Sequence, residues 1–181
     1  MGPFIILLKA LKPDMRKDRV SSVTSEDLRK LGVKLVLVDA DNTVNYDRTT
    51  DLLPYSEQWV RNLEKAGFSV ILFSNAKEHR AAEVAGKLDI PFVGMAKKPL
   101  PFRYIKTCIS NRVKPHEAVM IGDQMFTDIL GGNLAFLKTV YVTPYEMETD
   151  PFLLFLFKIK RGLEPVIFRL QDKYLGENNE Y

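Results

Sequence analysis

A chain of 181 residues is long enough for one domain with a substantial core and short extensions. Hydrophobic residues at 46% and charged residues at 27% exclude global disorder and a polytopic membrane protein. A formal charge of +3 is too small to point to a nucleic-acid partner, and a single cysteine, Cys108, rules out an intrachain disulfide and an all-cysteine metal site. One thiol flanked by Ile105 and Ile109 reads as buried, which suits a reducing, cytoplasmic setting.

The apolar opening, residues 3–11, falls short of the ~20 residues a spanning helix needs, and no basic region precedes it. A short helix packed on the core or on a surface is expected there, within an N-terminal helical extension over residues 1–33. Thr24 or Ser25 caps a second short helix, with Asp27 near the cap and Gly32 as the stop. The core, residues 34–145, begins with the apolar run 34–39, the best candidate for a central strand.

Pro54 suits the first turn of a helix carrying Trp59, Val60, Leu63 and Ala66 at helical spacing, and Gly67 ends it. Strands follow at 69–73, 91–94, 118–122 and 138–142, separated by helices at 78–88, 102–111 and 127–133. Alternation of this kind predicts an α/β fold: a mainly parallel, five-stranded sheet with helices on both faces. The tail, residues 146–181, reads as helical, with a strongly apolar run at 152–157 and then Lys158, Lys160 and Arg161.

Polar residues interrupt this scheme at the strand ends. Asp39 and Asp41 close the first core strand, Ser74 the second and Asp123 the fourth, while Lys98 follows the third. In an open parallel sheet the carboxyl ends face one crevice, so these residues converge. Three carboxylates in a partly dry cleft repel unless a cation neutralises them, and an oxygen-only donor set favours Mg²⁺. Lys98, the Ser74 hydroxyl and backbone N–H groups supply what a phosphate group needs.

Taken together, Asp39, Asp41 and Thr43, then Ser74 and Asn75, then Lys98 before Pro99, then Gly122, Asp123 and Asp128 resemble the four ordered motifs of the haloacid dehalogenase superfamily. The likeness extends over residues 35–142 and is nearest to the small capless phosphatases of subclass IIIA, including those acting on phosphatidylglycerophosphate. It implies a three-layer Rossmann-like core without a large cap domain. It also implies Asp39 as nucleophile and Asp41 as general acid and base, with Mg²⁺ held by Asp39, Asp123 and the backbone carbonyl of Asp41. Thr43, Ser74, Asn75 and Lys98 would serve the phosphoryl group, with Asp128 supporting the metal or orienting Lys98. Val44 stands where the related sequences often carry leucine.

Each residue alone has a plainer reading. Asp39 and Asp41 would be turn or cap residues, Ser74 and Asn75 a helix cap, Lys98 a solvated side chain, and Gly122 with Asp123 a strand terminus followed by a second turn at Gly131 and Gly132. His79 and His116 read as surface residues. The intervals 44–73 and 76–97 hold no room for a cap, so the cleft can admit a phosphate on something large.

The apolar and basic ends favour a lipid head group at the inner face of an anionic membrane, the resemblance naming phosphatidylglycerophosphate in phospholipid biosynthesis. The plainer alternative has those ends covering the sheet or a second subunit. A soluble phosphoester, a phosphoprotein and a noncatalytic regulatory domain complete the range of readings.

Overall fold

The structure, a computed structural model, describes residues 3–145 and 151–176, with side chains excepted for 151–161. Strands β1 (Met15–Lys17), β2 (Leu35–Val38), β3 (Ser69–Phe73), β4 (Phe92–Val93), β5 (Ala118–Gly122) and β6 (Lys138–Val142) form one parallel sheet in the order β1-β6-β5-β2-β3-β4. The sheet therefore has six strands rather than five. The additional strand is three residues of Met-Arg-Lys, half-buried at the edge, without the apolar run that announces a central strand.

Alternation along the central strands divides the core into two layers. Val36, Val38, Val70, Leu72, Val119 and Ile121 point to one face, where they meet Leu28 of α2 (Ser25–Lys30), Trp59, Val60 and Leu63 of α3 (Ser56–Lys65), and Ala81, Val84, Ala85 and Leu88 of α4 (Glu78–Leu88). Leu35, Leu37, Ile71, Phe73, Ala118 and Met120 point to the other, against Tyr104 and Cys108 of α5 (Pro101–Ser110). Cys108 is buried, although its neighbour Ile109 is 70% exposed.

Local chemistry accounts for the helix limits. Thr24 caps α2 in a reciprocal capping box with Asp27, and Gly32 follows at φ 70°. Pro54 lies outside α3, in the turn that leads to it. The stretch after β5 forms a π-helical turn over Met125–Ile129 and then α6 (Leu130–Leu134), so Gly131 and Gly132 belong to a helix and not to a turn. Their lack of a side chain permits close approach: a Cβ at Gly131 would lie 2.5 Å from the Tyr104 hydroxyl, and one at Gly132 would lie 2.6 Å from Thr139 Cγ2.

The terminal helices meet at the β1 edge. Helix α1 (Pro3–Ala10) contacts α7 (Pro151–Leu175), with Phe4 edge-on to Tyr174 at 6.2 Å. Gln171 donates to the Leu8 carbonyl and accepts from Arg16, whose guanidinium lies 3.9 Å from the Phe168 ring centroid. Tyr141 of β6 donates to Glu164, and Lys12 donates to the carbonyl of Gly176. No described helix is long and apolar enough to cross a membrane. The 152–157 run and Lys158, Lys160 and Arg161 fall on the helical backbone of α7 but outside the described side chains.

Candidate active site

The central strand β2 pairs with β3 on one side and β5 on the other, with Val38 level with Leu72 and with Ile121. The chain therefore leaves these three strands side by side, which brings Asp39, Ser74 and Asp123 to one edge. All three are buried, at 3%, 2% and 1% exposure. Neither interval that holds a cap in larger enzymes carries one here: residues 44–73 form a loop, α3 and β3, and 76–97 form α4, β4 and short connections.

Lys98 stands at the centre of the cluster. Its ammonium is 2.6 Å from Asp39 Oδ1 and 2.6 Å from Asp128 Oδ1. Burial alone would lower the Lys98 pKa, but Asp128 and Asp39 outweigh it and hold the group charged. Lys97, at φ 56°, is exposed, so of the two adjacent lysines only Lys98 reaches the cluster. The peptide between Lys98 and Pro99 is cis.

Asn75 fixes the Lys98 backbone from both sides, its Oδ1 accepting the Lys98 N–H at 2.7 Å and its Nδ2 donating to the Lys98 carbonyl at 3.2 Å. Asn75 thus acts here through its side chain on the Lys98 backbone.

Asp128 is fully buried on the π-helical turn, where its Oδ2 also accepts the Gln124 N–H. Turns of this kind are rare and recur at functional sites. Ligand oxygens of Asp39, Asp123 and Asp128 lie within 4.8 Å of one another. Against three carboxylates the cluster sets one ammonium, leaving an excess of two negative charges in a buried place. The strain shows at Asp39: burial and the Asp128 charge push its carboxyl up to about 7, with Lys98 opposing. An oxygen-only set with that excess fits a divalent cation.

Asp41 faces differently. Its carboxylate takes a two-pronged ion pair from Arg80, at 2.5 Å and 2.7 Å, and also accepts from Asn45 Nδ2 and the Arg48 N–H. Arg80 and Asn45 were not among the residues singled out from the sequence. A signal for Arg80 existed: a helix that begins just past a strand end at the catalytic edge turns its first-turn side chains back on that edge. The loop that carries Asp41 is compact, the Ala40 carbonyl accepting from the N–H groups of Thr43, Val44 and Asn45, with Asn42 at φ 57°.

Two buried hydroxyls follow the same strand ends. Thr43 is 1% exposed, and its Oγ1 has no hydrogen-bond partner among the described residues. Ser74 Oγ accepts the Ala76 N–H, which leaves its proton to donate elsewhere. Val44 is wholly buried in the core, and His79 and His116 are exposed, away from the cluster's hydrogen bonds.

A family model for haloacid dehalogenase-like hydrolases matches residues 7–135. The chain belongs to that family. The "Probable phosphatase YqeG" of Bacillus subtilis is 33% identical over 140 residues, covering 77% of this chain and 81% of its own. Among solved structures, the cobalt-bound deoxy-D-mannose-octulosonate 8-phosphate phosphatase of Haemophilus influenzae has a TM-score of 0.50 at 14% identity, covering 82% of this chain and 95% of that one. An uncharacterized protein from Listeria monocytogenes has a TM-score of 0.53 at 18% identity, covering 66% of this chain and 85% of that one. At such identities these two establish a shared fold. Family membership and the Bacillus relative together make this chain an enzyme of the phosphatase kind.

Proposed function

We propose that this haloacid dehalogenase-type phosphatase hydrolyses a phosphate monoester through an aspartyl-phosphate on Asp39, and that its substrate is phosphatidylglycerophosphate at a membrane surface. The observation that carries the chemistry is Asp39 at the end of the central strand, beside a lysine shared with Asp128 and within reach of Asp123.

In the first step Asp39 Oδ attacks phosphorus and the bond from phosphorus to the alcohol oxygen breaks, with Asp41 giving that oxygen a proton. In the second, Asp41 takes a proton from water as the water attacks phosphorus, which frees the Asp39 carboxylate and inorganic phosphate. Lys98 and the Ser74 and Thr43 hydroxyls hold the phosphoryl oxygens, while Asn75 and Asp128 keep Lys98 in place. Mg²⁺ held by Asp39, Asp123 and the Asp41 carbonyl would supply charge neutralisation for the transferring group.

The lipid substrate is supported by three features. Among the described residues no inserted domain covers the cleft. Strand β6 ends at Val142 on the catalytic edge, and α7, with its apolar and basic first half, begins at Pro151. Phe4, Ile6 and Leu7 of α1 are at least half exposed. Because β1 runs parallel to the other strands, α1 precedes its amino end and lies away from the catalytic edge, so the start of α7 is the better placed of the two for a membrane.

The test is Mg²⁺-dependent phosphate release from phosphatidylglycerophosphate in mixed micelles, with Asp39→Asn as control. Release that the substitution abolishes supports both parts. Release from an aryl phosphate alone keeps the mechanism and moves the substrate to a soluble phosphoester or a phosphoprotein. Silence on both favours a regulatory domain.

A further inference from the structure

Arg80 has no part in the mechanism above, yet its guanidinium grips the carboxylate that must serve the leaving oxygen. The grip is bidentate, the strongest form of such a pair. It is also reachable from solvent, since the two side chains keep 21% and 19% of their exposure. Asp41 does not depend on Arg80 alone, because Asn45 and the Arg48 N–H also donate to it. Arg80 also donates to the Thr49 carbonyl at 3.4 Å, a long contact. Lys98, by contrast, is buried and committed to two carboxylates.

Position decides what such an arginine can take. Asp41 acts on the oxygen of the departing alcohol, so the cation beside it lies on the leaving-group side and not on the side of the transferring phosphoryl group. An arginine drawn from a carboxylate needs another anion in exchange, and the only anion the reaction brings to that side is one carried by the alcohol itself.

We propose that Arg80 is a substrate-binding residue that takes a second anionic group on the leaving alcohol, and by that exchange frees the Asp41 carboxylate to turn toward the leaving oxygen. The substrate class is a phosphate monoester whose alcohol carries another negative charge, a carboxylate or a phosphodiester. This rests on the Asp39 and Asp41 chemistry proposed above and narrows its substrate.

Four substrates test it: phenyl phosphate and glycerol 3-phosphate, whose leaving groups are neutral; 3-phosphoglycerate, which adds a carboxylate to the glycerol frame; and phosphatidylglycerophosphate, which adds a phosphodiester. The unsubstituted protein should favour the last two by kcat/KM, and the preference between those two separates a soluble from a lipid source of the charge. Arg80→Gln should raise KM for the favoured one about 10- to 100-fold, the scale of a charged hydrogen-bonded contact, while kcat/KM on the neutral pair rises. Arg80→Lys should recover part of the lost preference, since it keeps the charge without the fork.

An equal loss on all four in Arg80→Gln, or no preference for the second charge in the unsubstituted protein, overturns the inference and leaves the phosphatase reading standing. No Asp39-dependent release from any of the four removes the reading on which it rests.

Discussion

Asp128 lies directly on Gly122. A Cβ built at Gly122 would come within 2.3 Å of Asp128 Oδ2 and 2.4 Å of its Cγ, closer than non-bonded atoms can approach. The glycine is therefore required by the carboxylate packed against it, which in turn holds Lys98. Gly122→Ala should push Asp128 aside and misplace the ammonium. We expect a loss of about 1–3 kcal/mol in stability, typical of overpacking, visible as a Tm lowered by several degrees. Phosphate release should fall at least tenfold, more than the stability loss explains at a temperature where the variant stays folded.

Asn75 holds the Lys98 peptide through two hydrogen bonds, one from each side of its amide. Asn75→Ala removes both and leaves the lysine side chain in place. Its expected signature is a fall in kcat of about tenfold with stability lowered by about 1–2 kcal/mol, measured by steady-state kinetics and urea unfolding. Lys98→Ala should be harsher, because it leaves Asp39 and Asp128 facing each other without the cation between them.

The raised carboxyl of Asp39 makes the metal-free protein sensitive to pH. In the unfolded chain the group titrates near 3.8 and in the fold near 7. Between those values the native state holds the proton that the unfolded state releases, so stability falls as pH rises, and the full penalty applies above pH 7. Melting in a chelator should show Tm dropping from pH 5 to pH 8, with Asp39→Asn nearly flat across that range. Mg²⁺ binds the deprotonated carboxylate, so it should raise Tm more at pH 8 than at pH 5.

A membrane role for the start of α7 predicts that the full chain floats with vesicles rich in anionic lipid and not with neutral ones. Changing Lys158, Lys160 and Arg161 together to Gln should weaken that binding by about 3 kcal/mol at low salt, at ~1 kcal/mol for each cation near the surface. Flotation unchanged by the triple substitution would remove the charged segment from the account.

Much of the fold was legible because the central strands are short apolar runs with punctuation at both ends. Residues 69–73 and 118–122 match β3 and β5 at both limits, and 78–88 matches α4. What escaped was built from tertiary context. Strand β1 exists because Met15, Arg16 and Lys17 pair with Val140, Tyr141 and Val142, and nothing in three mixed residues announces it. The π-helical turn is likewise invisible to a 3.6-residue period.

In the site, strand ends pointed to Asp39, Ser74, Lys98 and Asp123, since a polar residue that closes an apolar strand stands out. Asn45 sits in a loop where polar residues are ordinary, so only its contact with Asp41 marks it, whereas Arg80 is signalled by its place in the first turn of a helix that follows a strand end.

The central claim is that phosphorus becomes bonded to Asp39. The most direct measurement is an acid quench of the Asp41→Asn variant with an activated aryl phosphate and Mg²⁺, followed by peptide mass analysis, since such a leaving group departs without the proton from Asp41 while hydrolysis of the intermediate still needs Asp41 as base. The account predicts one added phosphoryl group on the peptide containing Asp39, absent when Asp39 is also changed to Asn. Turnover in the unsubstituted protein with the phosphoryl group on another residue, or retained by Asp39→Asn, would contradict it.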